Sequence, residues 1–343
     1  MAETEAIAVA GSWVAAMLRS STPLMMVTLG ETLTERVGIV NLGIEGQMLC
    51  GACVGFAVAA QTGSPVLGFA AGAAAGLVLS LVHVALCLGC DANQIGSGIA
   101  VFTLGLGLTS YFGRVVIGGK VSGLAPLAGG DAVSIPFLGP IATQLTLVAP
   151  IAILVVLVAG LWLYRTRSGL NWRIVGESFE TARALGIRPR LVQANGILIG
   201  GLLSGFAGAI LSVDYTQTWA NEMTKGRGFV AVGLVIVARW NPLLVVPVVL
   251  LFGASESRHS PPPGRGSDTV ALPHRLPALP CVPCMCDHRI ASGWPHGGNA
   301  SRVSLRIWPA PIGCLAAAFE PERLRGIPMM RLLTNPSCLD GGG

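Results

Sequence analysis

Three clusters of polar side chains border long apolar stretches of this 343-residue sequence, and their residue types suit ligand binding better than catalysis. They fall at residues 31–48, 91–94 and 214–221. Polar groups within apolar stretches are costly, so they usually line a pathway or pair with one another. Amides beside aromatic rings suit a neutral, hydroxyl-rich ligand such as a sugar or nucleoside, although each cluster could equally be an ordinary interfacial loop. The candidates for a translocation path are Asn41, Glu45, Gln47, Asn93, Gln94 and Asp214.

The motifs of common enzymes are missing from the sequence. A phosphate-binding loop of the GxxxxGK type would need a glycine where Arg114 precedes Gly119-Lys120. No GxSxG or HExxH pattern occurs, and His83 is the single histidine of residues 1–253. A lone histidine in an apolar stretch is more often structural than catalytic. We therefore predict no enzyme activity, no metal and no cofactor, with any ATP bound by a separate chain.

A charged segment, residues 165–190, separates two uncharged stretches and is the most informative part of the sequence. In a chain with 11% charged residues it holds six arginines, namely Arg165, Arg167, Arg173, Arg183, Arg188 and Arg190. Arginines beside apolar spans mark the cytoplasmic face of a membrane protein. Helix-forming residues run from Glu177 to Leu185, and Gly186 and Pro189 follow them. The segment predicts a cytoplasmic loop with a short helix that docks a partner inside the cell.

The composition indicates an integral membrane protein. Hydrophobic residues make up 52% of the chain and the mean hydropathy is +0.68, more than a soluble domain needs. The 45 residues between Glu45 and Asp91 carry no charged side chain, and as a helix they could cross a core of ~30 Å roughly twice. The fold class predicted is an all-α, polytopic transmembrane helix bundle. The net charge of +5 gives no reason to expect a nucleic-acid partner.

About seven spans are predicted from the apolar stretches. They are 12–30, 46–62, 66–90, 95–113, 141–164, 191–213 and a broken element over 228–253. Glycines recur at Gly68, Gly72 and Gly76 and again at Gly201 and Gly205, a spacing that lets helices approach closely. In the last element, Pro242 interrupts the apolar sequence, which predicts a discontinuous span or a re-entrant hairpin.

The character of the sequence changes at residue 254. Residues 254–343 hold 13 of the 22 prolines, 4 of the 5 histidines and 5 of the 9 cysteines, with no periodicity that would build a core. We therefore divide the chain into a membrane domain, 1–253, and an irregular non-membrane tail, 254–343. A zinc site is one interpretation of the tail, but translation from a shifted reading frame is the better one. The zinc ligands would be Cys281, Cys284, Cys286, His288 and His296.

Four segments together resemble a known family. They are TPLMMVTLGETLTERVGIVNLGIEGQM (22–48), ANQIGSGIA (92–100), RTRSGL followed by VGESFETARALGI (165–187), and MTKGRGFVAVGLVIVARWNPL (223–243). In this order they are similar to the permease subunits of bacterial ABC importers. The branch they resemble most handles simple sugars and nucleosides, and more distant relatives handle branched-chain amino acids. The resemblance covers residues 12–253.

The resemblance implies a dimerising, multi-pass subunit of the bacterial cytoplasmic membrane that forms a path by alternating access. Its implied partners are an ABC ATP-binding subunit, an extracytoplasmic substrate-binding protein, a second permease subunit, identical or not, and the lipid bilayer. The residues that match the family's coupling segment, whose short helix sits in a cleft of the ATP-binding subunit, are Glu177, Glu180, Arg183 and Gly186.

The sequence departs from the family's pattern at its C-terminal part. Family members continue beyond residue 254 with further hydrophobic sequence, where this chain has the tail. Either one or two terminal spans are missing or the tail is an unusual addition. The alternatives to a sugar or nucleoside permease are therefore a branched-chain amino-acid permease of the same superfamily and a truncated membrane protein without transport activity.

Overall fold

The computed structural model describes residues 2–127 and 138–257, with side chains from Ile7 onward. These residues form eleven α-helices and, among themselves, no strand beyond two isolated bridges, which confirms the all-α prediction for this part of the chain. The helices are α1 Ala2–Arg36, α2 Ile44–Thr62, α3 Pro65–Val84, α4 Gln94–Phe112, α5 Leu138–Gln144, α6 Val148–Arg165, α7 Arg167–Glu177, α8 Phe179–Ala184, α9 Pro189–Ala209, α10 Arg227–Val237 and α11 Pro242–Ser257. Residues 254–257 of the predicted tail form the end of α11. Residues 258–343, which hold the rest of the predicted tail and the zinc alternative, lie outside the described residues.

Five helical segments are long and apolar enough to cross a membrane. They are Ile44–Thr62, Pro65–Gly89, Gln94–Val116, Val148–Arg165 and Pro189–Tyr215. The remaining two predicted spans do not meet this criterion. The span 12–30 lies in α1, which is long enough but not apolar enough, and 228–253 is divided between the shorter helices α10 and α11. The count of about seven therefore stays a prediction.

The predicted span 141–164 begins earlier than the corresponding membrane-spanning helix in the structure. The structure divides this stretch into the short helix α5 and the longer α6, which begins at Val148. Pro150 lies in the first turn of α6, where proline is tolerated because its missing N–H would lack a helical partner anyway. The apolar run alone could not locate this boundary.

Glycines allow α2, α3 and α9 to pack with their backbones in contact. A Cβ atom on Gly72 would lie 2.7 Å from the carbonyl oxygen of Gly51, and one on Gly205 would lie 2.8 Å from the Cα of Gly76. Both distances are shorter than a side-chain carbon can tolerate. The small-residue spacing noted in the sequence therefore marks the face by which these helices meet.

Helix α1 runs through the centre of the bundle, with every residue from 20 to 34 buried. It packs on α9 and α11, and Gly30 lies against the backbone of Gly200. Threonine hydroxyls in α1 donate back to carbonyls one turn earlier, as Thr28 does to Leu24 at 2.7 Å. This satisfies polar groups that have no water to bind.

The last predicted element is a pair of short helices joined by a tight reversal. Helix α10 ends at Val237, α11 begins at Pro242, and Arg239 and Trp240 between them have φ values of 55° and 54°. Two consecutive left-handed residues followed by a proline end a helix decisively. The break predicted at residues 239–242 is confirmed.

Two ends of the bundle can be told apart by their contacts. At one, which we call the loop end, Arg36 donates to the Tyr164 hydroxyl at 3.1 Å and to the Trp240 carbonyl at 2.6 Å. At the other, which we call the far end, the backbones of Lys120 and Thr218 form an isolated antiparallel β-bridge. The charged segment 165–190 belongs to the loop end.

Candidate functional site

The charged loop contains two helices rather than the single one predicted. Helix α7 ends at Glu177, and Ser178 caps α8 by accepting a hydrogen bond from the Thr181 backbone at 3.2 Å. Gly186, at φ 78°, provides the left-handed residue after α8, as the sequence predicted. All four predicted coupling residues, Glu177, Glu180, Arg183 and Gly186, are exposed.

The predicted coupling residues lie on or beside one short helix. Glu180 lies in the first turn of α8 and Arg183 in the last, which places each charge where the helix dipole favours it. Ala182 is fully buried and fixes the inner face of α8. A groove of about 610 Å³ runs along the loop between Phe179 and Leu191. The outer face of α8 is thus a rigid, charged surface with a groove beside it.

The charged loop is firmly attached to the bundle. Trp172 of α7 packs edge-to-face on Trp162 of α6, with ring centroids 5.0 Å apart. Gly176 lies so close to the backbone of Arg36 that no side chain would fit there. Since Arg36 also bonds Trp240, the loop, the end of α1 and the break before α11 form one connected unit.

Two of the predicted path residues have structural roles at the loop end. The Asn93 side chain accepts a hydrogen bond from the Ile95 backbone at 2.9 Å and so caps α4. Gln94 accepts from the Val40 backbone at 3.1 Å. The first contact orders a helix start and the second ties α4 to the turn after α1.

Two other predicted residues, Asn41 and Gln47, join a buried network with Glu31. The Glu31 carboxylate accepts from the Asn41 backbone at 3.0 Å, and the Asn41 amide donates to Gln47 at 3.1 Å. All three residues have no measurable exposure. One Glu31 oxygen and the Gln47 amide nitrogen have no partner within the part of the chain that the structure describes. The network closes the turn between α1 and α2.

Glu45, at the start of α2, holds the beginning of α10. Its carboxylate accepts from the Thr224 hydroxyl at 2.6 Å, the Gly226 nitrogen at 2.9 Å and the Gly228 nitrogen at 2.6 Å. A carboxylate at a helix N-terminus satisfies free N–H groups and complements the helix dipole. Glu45 also lines a cavity of about 290 Å³ with Phe102.

Asp214 lies apart from the other predicted path residues. It is buried in the π-helical extension of α9, Ile210–Tyr215, and accepts from the Thr146 hydroxyl at 2.9 Å. Arg19 of α1 donates to the Asp214 carbonyl at 3.0 Å. The structure therefore does not bring the six predicted path residues into one site: Asn41 and Gln47 form one group, and Glu45 contacts α10 instead.

A cavity lies near the third polar cluster. Its volume is about 770 Å³, and its wall includes Tyr215, Asn221, Arg227 and Glu256. Arg227 donates to the Glu256 carboxylate across the α10–α11 hairpin, in a contact between side chains that are 17% and 31% exposed. Sequence reasoning found Tyr215 and Asn221 but missed this ion pair, whose members stand 29 positions apart.

A buried polar cluster that the sequence did not suggest joins α3 to α4. The Cys87 thiol lies 2.8 Å from the Ser97 hydroxyl, which lies 3.2 Å from Nδ1 of His83. Cys87 belongs to the π-helical turn Ala85–Gly89 that continues α3. His83 therefore has polar partners, as a structural histidine does. Within the described residues, no three His, Cys, Asp or Glu side chains are placed to hold a metal ion.

Comparison with known proteins decides the family. Residues 13–260 match the family described as branched-chain amino acid transport system / permease component. The chain belongs to this permease family. No solved structure matches it significantly.

The permease is similar to transporters of named substrates. It is 38% identical over 242 residues to a putative glucose ABC transporter permease protein, TsgC13 of Haloferax volcanii, covering 69% of this chain and 74% of that protein. It is 34% identical over 255 residues to the nucleoside ABC transporter permease NupC of Lactococcus lactis, covering 70% and 79%. It is 30% identical over 264 residues to the guanosine ABC transporter permease NupQ of Bacillus subtilis, covering 71% and 80%. With its apolar helices, the permease is a multi-pass membrane protein.

Proposed function

We propose that this permease forms the transmembrane path of an ATP-driven ABC importer for a nucleoside or simple sugar and works by alternating access in the bacterial cytoplasmic membrane. The observation that carries the proposal is the 38% and 34% identity to permeases named for glucose and nucleosides. The cavity lined by Tyr215, Asn221, Arg227 and Glu256 supports it, because hydroxyl groups, aromatic rings and amides suit a hydroxyl-rich ligand.

The charged loop is the proposed contact with the ATP-binding subunit. Helix α8, with Glu180 and Arg183 on its surface, enters a cleft of that subunit, and Glu177 and Gly186 border it. Closure of the partner around ATP moves α8, and the contacts of Gly176 and Trp240 with Arg36 pass this movement to α1 and the α10–α11 hairpin. The ATP-bound state of the partner thereby favours one of two arrangements of the path.

The remaining partners follow from the same proposal. An extracytoplasmic binding protein delivers the ligand, and a second permease subunit, identical or related, completes the path. In this proposal, ATP is bound and hydrolysed by the separate ATP-binding subunit. Of the six predicted path residues, Glu45 is the one that we keep as a path residue, because it lines a cavity and holds the start of α10.

Two alternatives have support of their own. The description of the matched family favours a branched-chain amino acid as the ligand. The abrupt change of composition after residue 253 favours a frame-shifted chain that inserts but does not transport.

Uptake measurements test the proposal and both alternatives. Cells without importers of their own would express this chain, or a version with the reading frame restored after residue 260, where the match to the family ends, with its ATP-binding and substrate-binding partners. Radiolabelled nucleosides and simple sugars should accumulate. Uptake by the restored version alone would identify the tail as a lesion, whereas uptake by both would show that the tail is tolerated. Uptake of branched-chain amino acids alone would contradict the proposed ligand class.

A further inference from the structure

The cavity beside Tyr215 has a polar wall that suits a specific part of a ligand. The wall is built by the end of the α9 extension, the loop 216–226, the start of α10 and the end of α11. Its volume of about 770 Å³ falls in the range of small-molecule sites. Apolar side chains such as Phe252 and Val230 form much of the surface, so the few polar groups determine the orientation of a ligand.

Arg227 has hydrogen-bonding capacity left over in this cavity. One guanidinium nitrogen donates to Glu256, while Nη1 is buried and has no partner among the described residues. The guanidinium lies 5.3 Å from the centroid of the Tyr215 ring, which restricts its orientation. A guanidinium carries five N–H donors. Because the Arg227 side chain is partly exposed and lines the cavity, the donors on its exposed side can bind a ligand oxygen.

The Arg227–Glu256 pair places a donor and an acceptor side by side. A hydroxyl group can accept from the guanidinium, and a neighbouring hydroxyl can donate to the carboxylate, so two adjacent hydroxyls match the pair. The charges of the pair offset each other, so the pair itself favours a neutral polyol over an ion. Lys225, which also lines the cavity, is exposed to solvent, which screens its charge.

We infer that the Arg227–Glu256 pair, together with Asn221 of the same cavity wall, binds the vicinal hydroxyls of the transported ligand. The inference rests on the proposed function and names the chemistry of its path site. Two ligands carry this chemistry, the ribose of a ribonucleoside and the pyranose ring of a hexose. The pair then determines specificity within the membrane, in addition to any selection by the binding protein.

The first test compares transport of ligands with and without the diol. The complete importer would be supplied with binding protein saturated with guanosine or 2′-deoxyguanosine in one arm, and with methyl glucoside or methyl 3-deoxyglucoside, which has no vicinal hydroxyls, in the other. Saturation removes the binding protein's own affinity from the comparison. The wild-type complex should move the diol form of one pair at least several-fold faster than its deoxy form. The arm that shows this preference identifies the source of the diol.

Substitution of the pair should remove that preference. In Arg227→Gln and Glu256→Gln complexes, the rate for the diol ligand should fall about tenfold and approach the rate for the deoxy ligand. Arg114→Gln is the matched control, because Arg114 is exposed, bonds the Ser110 carbonyl and does not line the cavity. An unchanged preference in both cavity variants would overturn the inference and leave the proposed function standing. A wild-type complex that moves neither ligand class would contradict the proposed function itself.

A second test leaves the ion pair intact. In a background in which serine replaces Cys90, the exposed cysteine of the described residues, and the five cysteines beyond residue 280, Asn221→Cys would be labelled with a thiol reagent in the assembled complex. The transported diol ligand should slow labelling several-fold, and its deoxy form should protect much less. Equal protection by both forms, or none by either, would contradict a diol site at this position even if the ion-pair variants fail to fold.

Discussion

The carboxylate of Glu45 lies 2.6 Å from the backbone nitrogen of Gly228, although the two residues are 183 positions apart in the chain. Through this bond and those from Thr224 and Gly226, one side chain of α2 holds the start of α10. Lys225, in the same segment, lines both the 290 Å³ and the 770 Å³ cavities. Glu45 therefore holds in place the segment 224–228, which contributes to the walls of both cavities.

Glu45→Gln should weaken this attachment. A glutamine side chain has the same shape as glutamate, but its NH₂ group cannot accept the hydrogen bond that one carboxylate oxygen of Glu45 accepts. One buried N–H or hydroxyl then loses its partner, at a cost of about 1–3 kcal/mol. We expect a lower midpoint of thermal unfolding in detergent and reduced uptake. Glu222→Gln is the control for stability alone, since Glu222 is an exposed neighbour in the same loop but also lines the 290 Å³ cavity. Equal stability of the two variants would show that the hydrogen bonds to Glu45 contribute little.

Gly205→Ala should disrupt the contact between α3 and α9. The added methyl group would meet the backbone of Gly76, and backbone cannot rotate away, so we expect a loss of about 1–3 kcal/mol in the free energy of unfolding. Gly107→Ala in α4 is the matched control, because nothing lies within 4 Å of its added Cβ. That variant should be neutral or slightly more stable, as alanine favours helix. The measurement is the midpoint of thermal unfolding of each variant in detergent, and equal midpoints for the two variants would contradict the prediction.

Asn93 can be assigned to structure or to the path by a conservative substitution. Asn93→Ser retains a side-chain acceptor for the start of α4, so stability and uptake should both remain near wild type. Asn93→Ala removes the cap and should cost about 1 kcal/mol. If Asn93→Ser were as stable as wild type yet lost uptake, the side chain would have a role in the path beyond capping.

The sequence predicts the local features of this fold well. Uncharged runs locate most of the helices, and Gly186 and Pro242 mark the helix end and the helix break where the structure has them. It also predicts the charged loop, although α7 was missed because Gly169 and Gly176 weaken its helical pattern. Each of these features depends on residues close together in the chain.

Contacts between distant residues could not be predicted in the same way. Glu45 belongs to a polar cluster in the sequence, but its partners are fixed only when α2 packs beside α10. The Arg227–Glu256 pair did leave a signal. The two residues stand at similar distances from the break at Trp240, so an antiparallel hairpin would bring them together. The contacts of α3 with α2 and α9 could likewise be anticipated, because glycines recur at every fourth position of α3 and α9.

The exposed helix α8 provides the test of the proposed coupling. Replacing Glu180 and Arg183 together by alanine removes two charges from its surface, whereas buried Ala182 and the Ser178 cap keep the helix in place. We expect normal insertion and stability, but ATPase activity that liganded binding protein no longer stimulates, and loss of uptake in the frame-restored complex. Arg167→Gln serves as the control because it removes an exposed charge of the same loop in α7. Uptake that survives the double substitution would exclude these two residues from coupling, since an interface of charge-assisted contacts cannot lose both partners unnoticed.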